Sequence, residues 1–312
     1  MGTEIVVAEL DGKIIAVSHN MNLRIKIGPS VLLTQYSTDV TTHQNYRGIG
    51  VFGDLVKEVE RLRTDKNVRL GYGVTTNPAV IKEWGKRGRI PFPHPISIMD
   101  RIIDVDLHIK KHNFENAYVL RAGYKTLSSL SKIRRKFKSK NNHVEDFNLV
   151  KADHFTEDID DFWATIRGYY GFIHEKSSSY LNWRYCDPRA GEHYIKVAVS
   201  GGKILGYAVS ELKNDEYPKG QIVELLALPE RLDVINALFE DSCNYFDGLG
   251  VNVVHYLVVK GHPYQGISND HGFIDSRGTP YITLQVIESE KEYEVLKASL
   301  PSQIYFDYST LI

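Results

Sequence analysis

Val40-Thr41-Thr42-His43-Gln44-Asn45-Tyr46-Arg47-Gly48-Ile49-Gly50-Val51-Phe52 is the stretch on which the reading of the chain turns. Residues 31–42 are rich in Val, Leu, Thr and Tyr and predict a strand. Beyond the glycines, Val51, Phe52, Leu55, Val56, Val59 and Leu62 recur at helical spacing and form one apolar stripe. Lys57, Glu58, Glu60, Arg61 and Arg63 fall mostly off it. A loop that opens directly onto a helix leaves free N–H groups at the helix N-terminus, which favour an anion such as phosphate. Gly48 and Gly50 let backbone approach that anion without a Cβ in the way. A Gly-x-Gly by itself is more often a plain turn, so the surrounding residues carry the argument.

Tyr46-Arg47-Gly48-Ile49-Gly50 resembles the Arg-Gly-x-Gly signature of the GNAT superfamily of acyltransferases, at the same place on a strand–loop–helix unit. Arg47 to Phe52 fits an Arg-Gly-x-Gly-(Val/Ile)-Phe form of it, although Gln44 stands where proline is common and Phe52 where a small residue is common. The resemblance implies that the amides of Arg47, Gly48, Ile49, Gly50, Val51 and Phe52 hold the pyrophosphate of acetyl-CoA as co-substrate. It implies that the backbone of Val40, Thr41 and Thr42 holds the pantetheine arm, with Asn77 close by. The acetyl group would lie where the strands ending near Thr42 and Val74 splay apart. Residues 77–88 resemble the family's Asn-x-x-Ala-x-x-x-Tyr-x-x-x-Gly region. There Trp84 replaces a tyrosine that protonates the departing thiolate, a role an indole cannot fill. Trp84 is expected in the core. Asp39 and His43 are the candidate bases, each also readable as an ordinary strand-end residue. Tyr36 and Tyr72 are further candidate acids, with core packing the stronger reading.

The rest of the composition bounds the function. With 312 residues the chain has room for two domains. Its 42% hydrophobic and 25% charged content is that of a globular protein, and its net charge of −1 argues against a general affinity for nucleic acid or anionic membrane. Two cysteines are too few for a disulfide framework or a zinc site, and no metal site is expected. No run reaches ~20 apolar residues, and the N-terminus has no signal-peptide pattern. A cytoplasmic protein is expected.

Residues 4–10 and 13–19 predict a hairpin about Asp11-Gly12, extended by 21–27; residues 68–75 predict a strand and 79–86 a helix. Residues 96–105 read as a late strand of the same sheet. Lys132, Arg134, Arg135, Lys136, Lys138 and Lys140 form a basic run, most simply a solvated helix face or linker. Further on, Tyr180-Leu181-Asn182-Trp183-Arg184-Tyr185 resembles a signature in the opening helices of GNAT-like domains. The element order after it, down to strands at 279–287 and 303–306, resembles a second whole domain. Its strand–helix loop, Leu228-Pro229-Glu230-Arg231-Leu232-Asp233, has no glycine and puts Glu230 where pyrophosphate would sit, so it should not bind CoA.

The expectation is an α/β (α+β mixed sheet) fold of two tandem GNAT-like domains. The first, 1–110, binds acetyl-CoA and lacks the strand and two helices with which the family usually begins. A basic linker or helical region, 111–150, leads to the second, 151–312, with its degenerate loop. The expected activity is N-acetyl transfer to a primary amine of a small molecule, of amino-sugar or amino-acid type, by a possible homodimer. Two alternatives stay open: a Fem-type transferase that uses aminoacyl-tRNA, and a non-catalytic binding protein on the same fold.

Overall fold

The structure is a computed structural model that describes residues 2–66, 68, 70–75, 77–92, 94–112, 122–123, 146–213, 217–276, 281–286, 294 and 304–305. The basic run at 132–140 lies outside the described residues. The chain forms two compact units. One comprises Met1–Ile96, Tyr170–Glu175 and Thr279–Ile312; the other comprises Ser97–Tyr169 and Lys176–Gly278.

In the first unit, β1 (Thr3–Leu10) and β2 (Lys13–Ile27) form a hairpin. Its turn residues Asp11 and Gly12 both have positive φ, the arrangement that matches strand twist in two-residue turns. β3 (Ser30–Thr42) returns antiparallel to β2, and α1 (Val51–Asp65) crosses over to β4 (Leu70–Thr75), parallel to β3. α1 buries Leu55, Val56 and Val59, as its stripe predicts, but Arg63 is buried too. Room for Arg63 comes from Gly71: a Cβ there would lie 1.6 Å from Arg63 Nη1. α2 (Pro78–Lys86) follows, with proline in its first turn and Asn77 capping it through Ala79 N–H. β5 (Ile90–Pro91) ends this run.

β6 (Ile96–Ile102) does not stay in that sheet. It joins the sheet of the second unit, beside a strand that would otherwise be a buried edge with unpaired N–H and C=O groups. Asp100 Oδ1 meets His255 Nδ1 at 2.7 Å, and Arg101 Nη2 donates to Asp247 at 2.8 Å. The chain continues through α3 (Val105–His112), β7 (Asn148–Ala152), α4 (Asp158–Ile166), β8 (Phe172–His174) and α5 (Ser178–Tyr185). Next come β9 (His193–Ser200), β10 (Lys203–Lys213), β11 (Lys219–Ala227), α6 (Leu232–Leu249), β12 (Val253–Val259), α7 (Pro263–Asp270) and β13 (Ile274–Asp275). The second sheet runs β13-β6-β12-β11-β10-β9-β7. β14 (Tyr281–Val286) and β15 (Ile304–Tyr305) then return to the first sheet, ordered β15-β8-β2-β3-β4-β14-β5 with β1 on β2. The strands expected to finish the second sheet therefore finish the first, because β4 has a free edge that β14 pairs along six residues, Tyr281↔Thr75 to Val286↔Leu70.

The core of the second unit is set by α6, whose Val234, Ile235, Leu238, Phe239, Cys243 and Phe246 are fully buried, each side chain contributing about 1.5–3 kcal/mol. Tyr245 stacks on Tyr194 with ring centroids 4.0 Å apart. The Tyr180–Tyr185 motif is structural: Leu181 is buried, Asn182 bonds both N–H and C=O of Phe155 at 2.8 Å, and Tyr185 donates to Glu224. Glu224 also pairs with the buried Lys176 at 2.5 Å. No described helix is long and apolar enough to cross a membrane.

Candidate functional site

The centre of the first unit is a place where two parallel strands come apart. The β3–β4 ladder ends at Ser37↔Gly73, although β3 runs on to Thr42 and β4 to Thr75. The cause is a bulge. β2 keeps Val17↔Thr41 and His19↔Thr38, so between these pairs one residue of β2, Ser18, faces two of β3, Asp39 and Val40. Asp39 absorbs the bulge with φ +49, a conformation uncommon for a residue with a side chain. Aspartate tolerates it better than most.

The opening leads into a cavity of about 210 Å³. β3 contributes Tyr36 to Val40 and β2 contributes Ser18. α1 contributes Phe52, Val56 and Val59, while β4 contributes Val74 and Thr75. Asn77, Val80, Trp84 and Arg89 complete the wall. Trp84 is buried, as expected of a core residue, yet it also lines the cavity, packed over the space left by Gly73.

Each residue expected to act can now be placed. Val40, Phe52 and Asn77 line the cavity, as does Asp39, whose Oδ2 lies 3.2 Å from His19 Nδ1. Thr42 accepts a 3.0 Å hydrogen bond from Arg47 Nε, which closes the loop onto the end of β3. Gly48 (φ +81) and Gly50 (φ +96) take left-handed conformations, and Gly50 is the N-cap of α1 with no side-chain capping bond. A Cβ on either glycine would meet nothing within 4 Å, so the space in front of the loop is open. Ile49 is exposed and Val51 opens the helix. Thr41 is exposed on the outer part of β3. His43 does not line the cavity; its Nδ1 accepts the Asn45 N–H and caps the short 3-10 turn Gln44–Tyr46. Tyr36 and Tyr72 stack at 4.9 Å, and Tyr72 Oη lies 2.8 Å from His174 Nε2, with all three residues buried.

Arg89, His19 and Arg63 were not singled out from sequence. Arg89 is 7% exposed, sits with its guanidinium 5.0 Å from the Trp84 ring centre, and lines the cavity. Burial first, then the neighbouring Arg63, pushes its pKa down to about 10; at neutral pH it is still a cation. Burial likewise lowers that of Arg63.

The second unit repeats the splay without the loop. The parallel β11–β12 ladder ends at Ile222↔Tyr256, while the strands continue to Ala227 and Val259. Arg231 stands at the N-cap position of α6 without a side-chain capping bond, and its Nη2 pairs with Asp233 and Asp146.

Residues 2–85 match the family model described as acetyltransferase (GNAT) domain. No curated protein matches the sequence. Among solved structures, a conserved protein of Enterococcus faecalis V583, described as a probable N-acyltransferase, is 12% identical with a TM-score of 0.58 over 92% of this chain and 63% of its own. Saccharomyces cerevisiae N-myristoyltransferase with bound myristoyl-CoA is 10% identical, TM-score 0.59, over 89% of this chain and 65% of its own. A GCN5-related N-acetyltransferase from Anabaena variabilis ATCC 29413 is 9% identical, TM-score 0.57, over 91% and 63%. The chain thus spans less than two thirds of the length of these structures, and at such identities the likeness is one of fold. The splayed strands and the glycine loop fall at and beside the segment, residues 2–85, that matches the acetyltransferase (GNAT) domain model, and the mixed α/β fold around it is like that of these solved structures.

Proposed function

We propose that the chain is an acyl-CoA-dependent N-acyltransferase whose first unit holds the thioester, with acetyl-CoA as the simplest donor and a primary amine of a small molecule as acceptor. The observation that carries this reading is the continuity of three features: an open glycine loop at the α1 N-terminus, a bulged strand that leaves β4, and a cavity at that opening. The loop amides receive pyrophosphate and the freed edge of β3 receives the pantetheine amides. The amine nitrogen attacks the thioester carbon; an N–C bond forms, the C–S bond breaks, and the amine proton ends on the CoA sulfur. Positioning supplies much of the rate. Asp39, at the cavity and within 3.2 Å of His19, is the carboxylate assigned to take that proton in transit. The fold of a protein solved with myristoyl-CoA supports an acyl-CoA ligand.

The test is calorimetric titration with CoA and acetyl-CoA, followed by thiol release with a panel of amines. Binding of one CoA per chain and amine-dependent thiol release are expected. Absence of CoA binding at millimolar concentration would remove the reading. Asp39→Asn should lower kcat with CoA affinity unchanged.

A further inference from the structure

The cavity holds a charge that no side chain among the described residues pairs with. Its wall is largely apolar, with Phe52, Val56, Val59, Val74 and Val80, but Arg89 is part of it. Among the described residues, Arg89 Nε and Nη1 are buried and make no hydrogen bond, and no carboxylate lies within ion-pair distance of the guanidinium. Such a group is ordinarily paired, because leaving a buried donor unmet costs more than a hydrogen bond returns. Its surroundings do not neutralise it. Glu60 and Glu83 both approach Arg87, at 3.9 and 3.3 Å, and Glu83 also pairs with Lys86. Among the described residues the cations of this cluster therefore outnumber its carboxylates.

Its place in the cavity gives that charge a use. Phe52 stands beside the phosphate loop and Val59 two turns further along α1, roughly 10 Å at 1.5 Å per residue. Arg89 lies over Trp84, whose ring packs against Gly73, the last residue of β4 paired to β3, so it sits by the closed end of the splay, away from the loop that follows the end of β3. A group entering from the splay between β3 and β4 meets valines along its length and a guanidinium at its tip.

We propose that Arg89 receives a carboxylate, and that the preferred donor is the CoA thioester of a short dicarboxylic acid, of succinyl or glutaryl type. This rests on the acyl-CoA reading above and narrows it to a carboxyacyl group. The distal carboxylate takes no part in the bond changes; it pairs with Arg89 and sets which thioester is held. The guanidinium fork suits a carboxylate in two-point contact, and Trp84 fixes the plane of the fork from one side.

Calorimetry on the full chain separates the possibilities. The ligands are CoA, acetyl-CoA, succinyl-CoA, glutaryl-CoA, and the uncharged isosteres 4-methylpentanoyl-CoA and 5-methylhexanoyl-CoA. A carboxyacyl-CoA is expected to bind about tenfold or more tightly than its isostere. Arg89→Leu is expected to abolish that preference while CoA and acetyl-CoA bind as before, and Arg89→Lys to keep part of it. Equal affinity of acid and isostere in the parent protein, with CoA bound, overturns the carboxylate assignment and leaves the acyl-CoA reading standing. Failure of every CoA ligand to bind overturns both. If Arg89→Leu weakens CoA itself as much as succinyl-CoA, Arg89 is structural and the proposal falls. It falls too if Arg89→Leu instead raises the KM of an acidic amine acceptor without changing donor preference.

Discussion

Replacing Gly50 separates what the loop does for stability from what it does for binding. Gly50 has φ +96 and caps α1, and a Cβ there would meet no heavy atom within 4 Å. Valine therefore has room, and the penalty is conformational alone, about 1–2 kcal/mol for a side chain in the left-handed region. Gly85 in α2 is the control: a Cβ there also meets nothing, but its backbone is helical. Gly85→Ala should raise stability by about 0.4–1 kcal/mol, because alanine has less freedom to lose on folding. Urea titration reads both. The binding arm has a different size. N–H groups donated to a phosphate are charge-assisted, each worth about 1.5–3 kcal/mol. Gly50→Val keeps the phosphate from that close approach, and loss of one such bond weakens CoA about 10- to 150-fold by calorimetry. A Gly50→Val protein that loses the expected stability yet binds CoA within twofold of the parent would refute the placement of pyrophosphate at α1. A variant as stable as the parent would refute the strain argument.

Three further outcomes are expected. Burial pushes the pKa of His262 from 6.5 down to about 4, while its Nδ1 accepts the Tyr264 N–H at 3.2 Å. The folded value is the lower one, so its contribution is complete above pH 6.5. As pH falls from 6.5 through about 4, about 3 kcal/mol is lost. His262→Asn, which can still cap α7, should flatten that part of the pH–stability curve; parallel curves would show that His262 does not titrate this way. Gly206→Ala puts a Cβ 2.7 Å from both Ala227 Cβ and Leu226 O in the β10–β11 pair, and should destabilise by about 1–3 kcal/mol in chemical denaturation; an unchanged midpoint would contradict the register. Calorimetry should give one CoA per chain, since the α6 N-terminus carries Glu230 and, at its N-cap position, Arg231 tied to Asp233 and Asp146. A stoichiometry near two would place a second CoA in the other unit.

Local pattern carried the strand–loop–helix unit. Alternation and helical spacing are properties of neighbours in sequence, and they located β3, the glycines and the buried face of α1. Arg63 and Arg89 escaped because charged residues read as solvent-facing. Their burial depends on Gly71 leaving space and on a cavity formed by five separate elements. The bulge escaped as well: Asp39 on sequence is a strand-end carboxylate, and its positive φ arises from a register mismatch with β2, a partner 20 residues away. His43 drew attention as a titratable group, where its local part is to cap a turn. The partners of β6 and β14 could not be read from their own composition, because an apolar strand pairs with whichever edge the folded chain leaves open.

The exchange of β6 and β14 bears on how the molecule is made. A ribosome delivers β1 to β4 before the second unit, but β14 and β15 of their sheet emerge only after the second unit has been synthesised through Gly278. The second sheet has all seven strands once Asp275 is out. Domains generally fold in the order they are made. Here the N-terminal segment waits, with the β4 edge uncovered, for strands at the far end of the chain. In pulse-labelled translation intermediates, protease resistance should come to the second unit before the first, and a nascent chain arrested after Asp275 should expose β4 to a binding partner that the finished protein excludes.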